Sequence, residues 1–320
     1  MPTLPGWVDQ RLAPGCYRLL ITVSEQGRDG ARPSPGLLAA VAIFPGRAEF
    51  VWVPGNGPAP AYSQKHERHD VESGLVKRAL VTGSSRGVGK SIALRLADDG
   101  WTVAIHGSQP NQECERVVKA LGKHGCGPYC ADLTDPRNAT DLFKRVAADG
   151  EVHALVNNAG VYLPLDFLAS GEAAFTANLH RSFAVNFESP LRLMRAATRY
   201  FAKQGGGKIL NVASRVGFKG EAGAALYAAS KAALINLTRS LAIELAPRNI
   251  GLFGLAPGWV DTAMARAGME SRLDAILDAI PMGRMATPED CAATAAFLLS
   301  DDAAYLSGVV IDVNGASYFH

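Results

Sequence analysis

The sequence lacks the features that mark membrane, secreted and nucleic-acid-binding proteins. No apolar run reaches the roughly 18 residues that a membrane helix needs. Residues 1–6 contain no basic segment leading into an apolar stretch, so we expect no secretory signal. An excess of one charge is also missing, because 32 Lys and Arg face 30 Asp and Glu, for a net charge of +2. We therefore expect neither nucleic acid nor a membrane as a partner.

Cysteine is scarce, and its distribution does not suggest a disulfide framework. The five cysteines are odd in number and scattered, which is typical of a reduced, cytoplasmic protein. One short cluster contains His66, Glu67, His69 and Asp70. Zinc sites need three or four converging ligands, and no other ligands accompany this cluster, so we expect a solvated linker and no metal site.

The chain has two regions of different composition. It is 320 residues long and 48% hydrophobic, so it can bury a large core. Residues 1–74 contain nine of the 18 prolines. Their apolar runs at 16–23, 37–44 and 48–53 are bounded by Gly or Pro, which predicts three short strands. The segments 54–60 and 63–74 are typical of a break and a linker. We expect residues 1–74 to be a small β-rich N-terminal extension.

Residues 75–320 alternate between predicted strands and predicted helices. The strands are expected at 76–82, 101–106, 128–131, 152–157, 208–212, 250–255 and 309–313. The helices are expected at 88–99, 112–124, 135–149, 172–204, 224–245, 263–279 and 288–299. The helix at 172–204 is expected to break at Pro190. The helix at 135–149 is expected to have Asp135 as its N-cap and Pro136 at N1. This alternation predicts a Rossmann-type, doubly wound parallel sheet of about seven strands with helices on both faces.

A glycine-rich turn follows the first of these strands. Its sequence, Thr82-Gly83-Ser84-Ser85-Arg86-Gly87-Val88-Gly89, runs directly into a predicted helix. Glycines permit a tight turn and a close approach of backbone N–H groups to a pyrophosphate, and the helix N-terminus adds positive potential. The context of strand, turn and helix predicts dinucleotide binding.

The pattern Thr-Gly-x-x-x-Gly-x-Gly resembles the cofactor loop of the compact branch of the short-chain dehydrogenase/reductase family. The resemblance extends through residues 75–320, and residues 157–160 (Asn-Asn-Ala-Gly) follow the fourth strand, as the corresponding tetrad does in that family. Around residues 227–247 and 256–264 the sequence is most similar to 3-oxoacyl-[acyl-carrier-protein] reductases. The resemblance implies cofactor contacts from Gly83, Ser85, Arg86, Gly87, Val88, Gly89, His106, Ser108, Asp132, Leu133, Asn158, Ala159, Gly160, Tyr227, Lys231, Pro257, Gly258, Val260 and Thr262.

The residues after the second strand favour NADP(H) over NAD(H). An NAD enzyme places a carboxylate there to bind the ribose 2′-OH, whereas residues 105–109 (Ile-His-Gly-Ser-Gln) contain no acid. Arg86 lies where NADP-dependent relatives often have a basic residue, and His106 and Ser108 would add hydrogen bonds to a 2′-phosphate. The arginine expected after the second strand is absent, with Gln109 near its place.

Ser214, Tyr227 and Lys231, with Asn186 upstream, resemble the catalytic tetrad of the family. Tyr227 and Lys231 are four residues apart and lie on one face of a predicted helix. We expect the ammonium to lower the tyrosine pKa so that the phenol can exchange a proton with a carbonyl oxygen. Ser214 would orient that oxygen, and the resemblance implies a proton relay supported by Asn186.

These residues predict reduction of a ketone or 3-oxoacyl group to a secondary alcohol, or the reverse, on a small molecule or an acyl thioester. Two alternatives remain. One is a sugar or polyol dehydrogenase of the same family, and the other is a dinucleotide-sensing protein whose N-terminal segment binds a partner. The resemblance also implies a homotetramer or homodimer formed through the helices at 172–204 and 224–245. We expect an apolar substrate pocket from among Trp259, Met264, Met269, Ile276, Ile280, Met282 and Met285.

Overall fold

The structure, a computed structural model, describes residues 76–266 and 272–320 and the backbone of three strands nearer the N-terminus. The chain divides into two units, Met1–Ser73 and Gly74–His320. The first unit contains an antiparallel sheet in the order β1-β2-β3, formed by β1 (Tyr17–Thr22), β2 (Leu38–Phe44) and β3 (Arg47–Trp52). The segments 54–60 and 63–74, with the cluster at His66 and His69, lie outside the described residues, so the linker there stays a prediction.

A seven-stranded parallel sheet forms the centre of the second unit. Its order is β10-β9-β8-β7-β4-β5-β6, which places the first strand of the unit, β4, between β5 and β7. This arrangement confirms the predicted Rossmann-type sheet. The strands are β4 (Arg78–Val81), β5 (Thr102–Gly107), β6 (Gly125–Cys130), β7 (Ala154–Asn157), β8 (Gly207–Val212), β9 (Ile250–Pro257) and β10 (Val310–Val313).

Helices cover both faces of this sheet, because successive residues of each buried strand point to opposite sides. In β4, Ala79 and Val81 pack into one core layer with α1, α2 and α9, and Leu80 packs into the other with α3, α5 and α6. The helices are α1 (Gly87–Asp98), α2 (Gln112–Leu121), α3 (Arg137–Ala148), α4 (Glu172–Phe183), α5 (Ser189–Gln204), α6 (Ala225–Leu245), α7 (Ala263–Arg266), α8 (Leu273–Asp278) and α9 (Pro288–Leu299).

Three helix boundaries differ from the predictions. The break expected at Pro190 in the helix over 172–204 lies slightly earlier, at a π-helical turn over Ala184–Glu188, and Pro190 lies in the first turn of α5, where its missing backbone N–H is tolerated. The helix expected over 263–279 is two short helices, α7 and α8. Pro136, rather than Asp135, occupies the N-cap position of α3, although the Asp135 carboxylate still accepts the Arg137 N–H at 3.0 Å.

Of the helices in the described part of the chain, none combines the length and the apolar character that crossing a bilayer requires.

Replacing Phe201 by alanine should test the α3/α5 layer of the core. The Phe201 ring is fully buried and packs edge-to-face on Phe143 with ring centroids 6.2 Å apart. Phe201→Ala should therefore lower the free energy of unfolding by about 3–5 kcal/mol in chemical denaturation. Phe319→Ala is the matched control, because Phe319 is 78% exposed, and it should change that free energy by less than about 0.5 kcal/mol. Equal effects of the two variants would contradict this description of the core.

Candidate active site

One cavity of about 550 Å³ opens at the carboxyl ends of the parallel strands. It extends from the glycine turn after β4 to the segments that follow β8 and β9, and so crosses the point where the strand order reverses. Open α/β sheets bind ligands at such a crevice. Every residue that the family resemblance assigns to the cofactor lines this cavity, and so do Ser214, Tyr227 and Lys231. Asn186 does not belong to the lining.

The glycine turn has no room for side chains. Gly83 has φ +63° and Gly87 has φ +54°, in the left-handed region that favours glycine. A Cβ on Gly83 would lie 2.9 Å from the Ala159 Cα, and one on Gly89 would collide with the Gly83 carbonyl oxygen. The first N–H groups of α1 have no partner within the helix, so the turn presents backbone donors to the cavity. This cradle fits the pyrophosphate of a dinucleotide.

Thr82 and Asn158 hold this turn against the end of β7. The Thr82 hydroxyl accepts hydrogen bonds from the backbone N–H groups of Asn158 and Ala159, each at 3.0 Å. The Asn158 amide in return donates to the carbonyl oxygens of Thr82 at 2.9 Å and Gly83 at 3.2 Å. The side chain of Asn158 therefore fixes the backbone that surrounds the ligand.

His106 has a different role from the expected one of donating to a 2′-phosphate. Its imidazole is buried, its Nδ1 accepts the Gly83 N–H at 3.0 Å, and its Nε2 lies 3.0 Å from the Ala131 carbonyl oxygen. A backbone N–H can only donate, so the proton of the neutral ring lies on Nε2 and points to Ala131. Both ring nitrogens are thus occupied, and His106 links the glycine turn to the ends of β5 and β6.

Burial also keeps this imidazole neutral. It lowers the pKa of His106 from 6.5 to about 4, and the charge of Arg145 acts in the same direction. A protonated His106 ring would have an N–H on Nδ1, facing the Gly83 N–H. The charged imidazole is therefore incompatible with the hydrogen bond that holds the glycine turn.

Gly107, which follows His106, has no room for a side chain. A Cβ on Gly107 would lie 2.5 Å from the Cys114 sulfur at the start of α2. Ser108 and Arg86 are exposed at the cavity, and the Arg86 guanidinium makes no hydrogen bond or ion pair with any described residue. This corner of the cavity therefore has a free positive charge and no carboxylate.

The other end of the cavity brings together the side chains predicted to be catalytic. Ser214 follows β8, and Tyr227 and Lys231 lie one turn apart in α6. The Lys231 ammonium is buried, donates to the Val212 carbonyl oxygen at 2.8 Å and lies 5.8 Å from the centroid of the Tyr227 ring. The ring of Tyr162 packs edge-to-face on that of Tyr227, with centroids 5.2 Å apart.

The expectation that Lys231 lowers the tyrosine pKa is wrong for this structure. Burial raises the pKa of Tyr227 to about 12; hydrogen bonding with Ser214 lowers it in part, and Tyr162 and Glu221 raise it further. Burial also lowers the pKa of Lys231 to about 8. The Lys231 ammonium is directed at a backbone carbonyl and not at the phenol. Desolvation, rather than attraction between the two groups, therefore has the largest effect on the pKa of each.

Asn186 lies in the π-helical turn behind the cavity wall. Its amide oxygen accepts the Val161 N–H at 2.9 Å, and its amide nitrogen donates to the Val161 carbonyl at 3.0 Å and to the Ser230 hydroxyl at 3.2 Å. Ser230 lies in α6 between Tyr227 and Lys231, so Asn186 connects the strand end after β7 with the helix that carries both groups. The proton relay implied by the resemblance stays a prediction.

Several residues that line the cavity were not predicted from the sequence, and others that were predicted lie elsewhere. Tyr162, Arg215 and Glu221 line the cavity, and the signal that could have found them was their short distance in sequence from Gly160 and Ser214. Of the apolar set expected in the pocket, only Trp259 and Met264 line it. Met269 lies outside the described residues, Met282 is exposed, and a separate cluster around α8 buries Ile276, Ile280 and Met285 against one another.

Replacing His106 by asparagine should remove an acid sensitivity from the fold. The folded-state pKa of His106 lies below 6.5, so the unfolded chain takes up the proton first as pH falls. The stability that depends on the neutral ring is complete above about pH 6.5 and decreases towards pH 4. Between pH 7 and pH 4, the wild-type protein should lose about 3 kcal/mol more unfolding free energy than His106→Asn.

Urea unfolding at a series of pH values measures this difference. His124→Asn is the matched control, because the His124 ring hydrogen-bonds the Trp101 carbonyl oxygen, at 3.1 Å, and not an N–H of the glycine turn. This control should keep the wild-type pH dependence. Parallel curves for wild type and His106→Asn would show that His106 does not titrate as described.

Comparison with known proteins agrees with this geometry. A family profile described as Enoyl-(Acyl carrier protein) reductase matches residues 83–316. The chain is 35% identical over 247 residues to the 3-oxoacyl-[acyl-carrier-protein] reductase FabG of Staphylococcus aureus strain Mu50, covering 76% of this chain and 99% of that protein. It is 37% identical over 243 residues to FabG of Escherichia coli K12, covering 76% and 97%.

Solved structures give the same relationship. A candidate NAD(P)-dependent gluconate 5-dehydrogenase from Beutenbergia cavernae, with NADP bound at low occupancy, has a TM-score of 0.71 and 34% identity to the chain. A candidate short-chain alcohol dehydrogenase from Sinorhizobium meliloti has a TM-score of 0.69 and 32% identity. Each match covers 76% of this chain and 97% of the other. The chain therefore belongs to the short-chain dehydrogenase/reductase family, as an oxidoreductase that acts on CH–OH or C=O groups with a nicotinamide dinucleotide.

Proposed function

We propose that this protein is an NADP(H)-dependent reductase that converts a ketone or 3-oxoacyl group into a secondary alcohol, or catalyses the reverse reaction. The supporting observation is that Ser214, Tyr227 and Lys231 line one end of the cavity whose other end is the glycine turn. A ligand that extends along this cavity from the turn would thus reach the three side chains. The 3-oxoacyl option rests on similarity to the two FabG enzymes.

In this proposal Tyr227 is the proton donor. A phenol with a pKa of about 12 keeps its proton at neutral pH and gives it to the more basic oxygen that forms when a carbonyl is reduced. The bound dinucleotide would supply or accept the hydride.

Ser214 and Lys231 hold the reacting groups in place. The Ser214 hydroxyl accepts the Val216 N–H at 3.4 Å and lowers the pKa of Tyr227, and its own hydrogen would be a preset donor for the substrate oxygen. The Lys231 ammonium has three N–H donors, one of which bonds Val212, so two remain for the ribose hydroxyls that the family resemblance assigns to it. Asn186 is a positioning residue here, because it acts through Val161 and Ser230.

A preference for NADP(H) over NAD(H) is supported by three observations. Arg86 has a guanidinium free of partners among the described residues, Gly107 has no room for a carboxylate, and Ser108 is an exposed hydroxyl at the same corner. The relative from Beutenbergia cavernae was solved with NADP. His106 has no place in this argument, because both of its ring nitrogens are occupied.

Removing the phenolic hydroxyl of Tyr227 should abolish turnover but not cofactor binding. A general acid contributes about 10²- to 10⁴-fold to a rate, so Tyr227→Phe should lower kcat at least about 100-fold. The NADPH dissociation constant, measured by fluorescence titration, should change less than threefold (roughly 0.6 kcal/mol). Tyr305→Phe is the matched control at a fully exposed tyrosine and should keep wild-type kcat. Undiminished turnover by Tyr227→Phe would refute the mechanism.

Removing the Arg86 charge should weaken NADPH binding selectively. Loss of a charge-assisted hydrogen bond costs about 1.5–3 kcal/mol, so Arg86→Ala should raise the NADPH dissociation constant about 10- to 100-fold. The NADH dissociation constant should stay nearly constant, because NADH lacks the 2′-phosphate. Arg95→Ala in α1, the helix that Arg86 immediately precedes, is the matched control, because Arg95 already pairs with Asp99 at 3.1 Å. A wild-type enzyme that binds NADH more tightly than NADPH would overturn the preference.

A sugar or polyol dehydrogenase is the second candidate, and one specific observation favours it. The chain is 34% identical to the gluconate 5-dehydrogenase candidate, and polar side chains line the part of the cavity next to Tyr227. The dimer or tetramer and the cytoplasmic location stay predictions from the sequence.

A further inference from the structure

An ion pair lines the cavity immediately beyond the proposed catalytic serine. Arg215 follows Ser214 in the chain and is only 6% exposed. Its Nη2 lies 3.0 Å from the Glu221 Oε2, and its Nη1 donates to the Ser317 hydroxyl at 3.2 Å. Both members of the pair line the cavity.

This pair is a poor device for stability alone. Burying two charges costs desolvation energy that their attraction only partly offsets, and apolar side chains of similar size usually stabilise a core as well or better. The Arg215 Nε is enclosed without a hydrogen-bond partner in the described part of the chain, which adds to that cost. A role in binding would account for its position in the wall of the cavity.

Glu221 keeps one carboxylate oxygen for a ligand. Oε2 accepts the Arg215 hydrogen bond, whereas Oε1 accepts none from any described residue and is not enclosed. The charge belongs to the catalytic end of the cavity, because Arg215 directly follows Ser214 in the chain and holds Glu221 at 3.0 Å, and all three line the cavity. In agreement, after burial, which is the larger cause, Glu221 contributes to raising the pKa of both Tyr162 and Tyr227. A substrate whose carbonyl oxygen meets Ser214 and Tyr227 would therefore have its neighbouring carbons near this carboxylate.

Three kinds of substituent would respond differently to such a group. A hydroxyl donates a charge-assisted hydrogen bond to the free oxygen. An unsubstituted alkyl chain covers the carboxylate without replacing its contact with water, which is unfavourable. A substrate carboxylate is repelled, because Glu221 already neutralises the Arg215 charge.

We propose that Glu221, held in place by Arg215, is a hydroxyl-recognition subsite, so that the preferred substrate is a ketone with a hydroxyl group on a carbon near the carbonyl. The inference rests on the proposed carbonyl reduction and narrows its substrate class. The reaction is otherwise unchanged: a bound reduced dinucleotide would supply the hydride that the carbonyl carbon takes up, Tyr227 gives a proton to the oxygen, and the product is a diol. Arg215 is a positioning residue that orients Glu221.

Matched ketone pairs test the proposal with the full-length enzyme and NADPH. In each pair a hydroxyl replaces a methyl group at nearly constant size: hydroxyacetone with butanone, 4-hydroxy-2-butanone with 2-pentanone, and 5-hydroxy-2-pentanone with 2-hexanone. The readout is kcat/KM for the hydroxy ketone divided by kcat/KM for its partner without the hydroxyl. This ratio is compared between enzyme variants, so that the intrinsic reactivity of each ketone cancels. In at least one pair, Glu221→Leu should lower the wild-type ratio about 10- to 100-fold, the range of a charge-assisted hydrogen bond.

Further variants separate recognition from damage to the fold. Glu221→Gln keeps an acceptor for Arg215 and for the hydroxyl without the charge, so its ratio should lie between those of wild type and Glu221→Leu. Arg215→Gln should lower the same ratio with the NADPH dissociation constant unchanged, which a general loss of structure would not do. Glu244→Gln, at an exposed glutamate of α6, should keep the wild-type ratio.

The outcomes distinguish the inference from the proposed function. Two results would overturn the hydroxyl subsite but leave the proposed reductase activity intact. One is that ketones are turned over but the ratios do not change in Glu221→Leu. The other is that the wild type clearly prefers acetoacetyl thioester over every hydroxy ketone. Binding of NADPH without turnover of any ketone or thioester would refute the proposed function as well.

Discussion

The neutral imidazole of His106 is the contact on which the cofactor side of the cavity depends. It joins three strand ends, because it accepts the N–H of Gly83 after β4, belongs to β5, and bonds the carbonyl of Ala131 after β6. Thr82 and Asn158 add the end of β7 to the same cluster. Parallel strands bring all of these ends to one edge of the sheet, and the hydrogen bonds between them set the orientation of the glycine turn.

Burial has a comparable influence at the other end of the cavity. The burial of Tyr227 and Lys231 disfavours the charged form of both, which keeps a proton on the phenol and lowers the lysine pKa to about 8. A phenol that holds its proton this tightly gives it only to an oxygen more basic than itself, such as the one that forms when a carbonyl is reduced. The nearby Glu221 charge acts in the same direction on the phenol.

The two ends differ in how polar groups are satisfied. Around the glycine turn, hydrogen bonds with His106, Thr82 and Asn158 hold the backbone in place, so its free N–H groups are preorganised for an anionic ligand. Next to Ser214, by contrast, Glu221 has a free oxygen and the Arg215 Nε has no partner in the described residues. Unsatisfied polar groups next to a reacting centre are a reason to expect that the substrate itself is polar.

Local patterns in the sequence were sufficient for the order of strands and helices, the glycine turn and the one-turn spacing of Tyr227 and Lys231, because each depends on residues close together in the chain. The tertiary structure alone decided the role of His106, the high pKa of Tyr227, the position of Asn186 behind the wall and the ion pair of Arg215. Each of these depends on which groups from separate strand ends meet and how much water they exclude, and residue spacing does not encode either quantity.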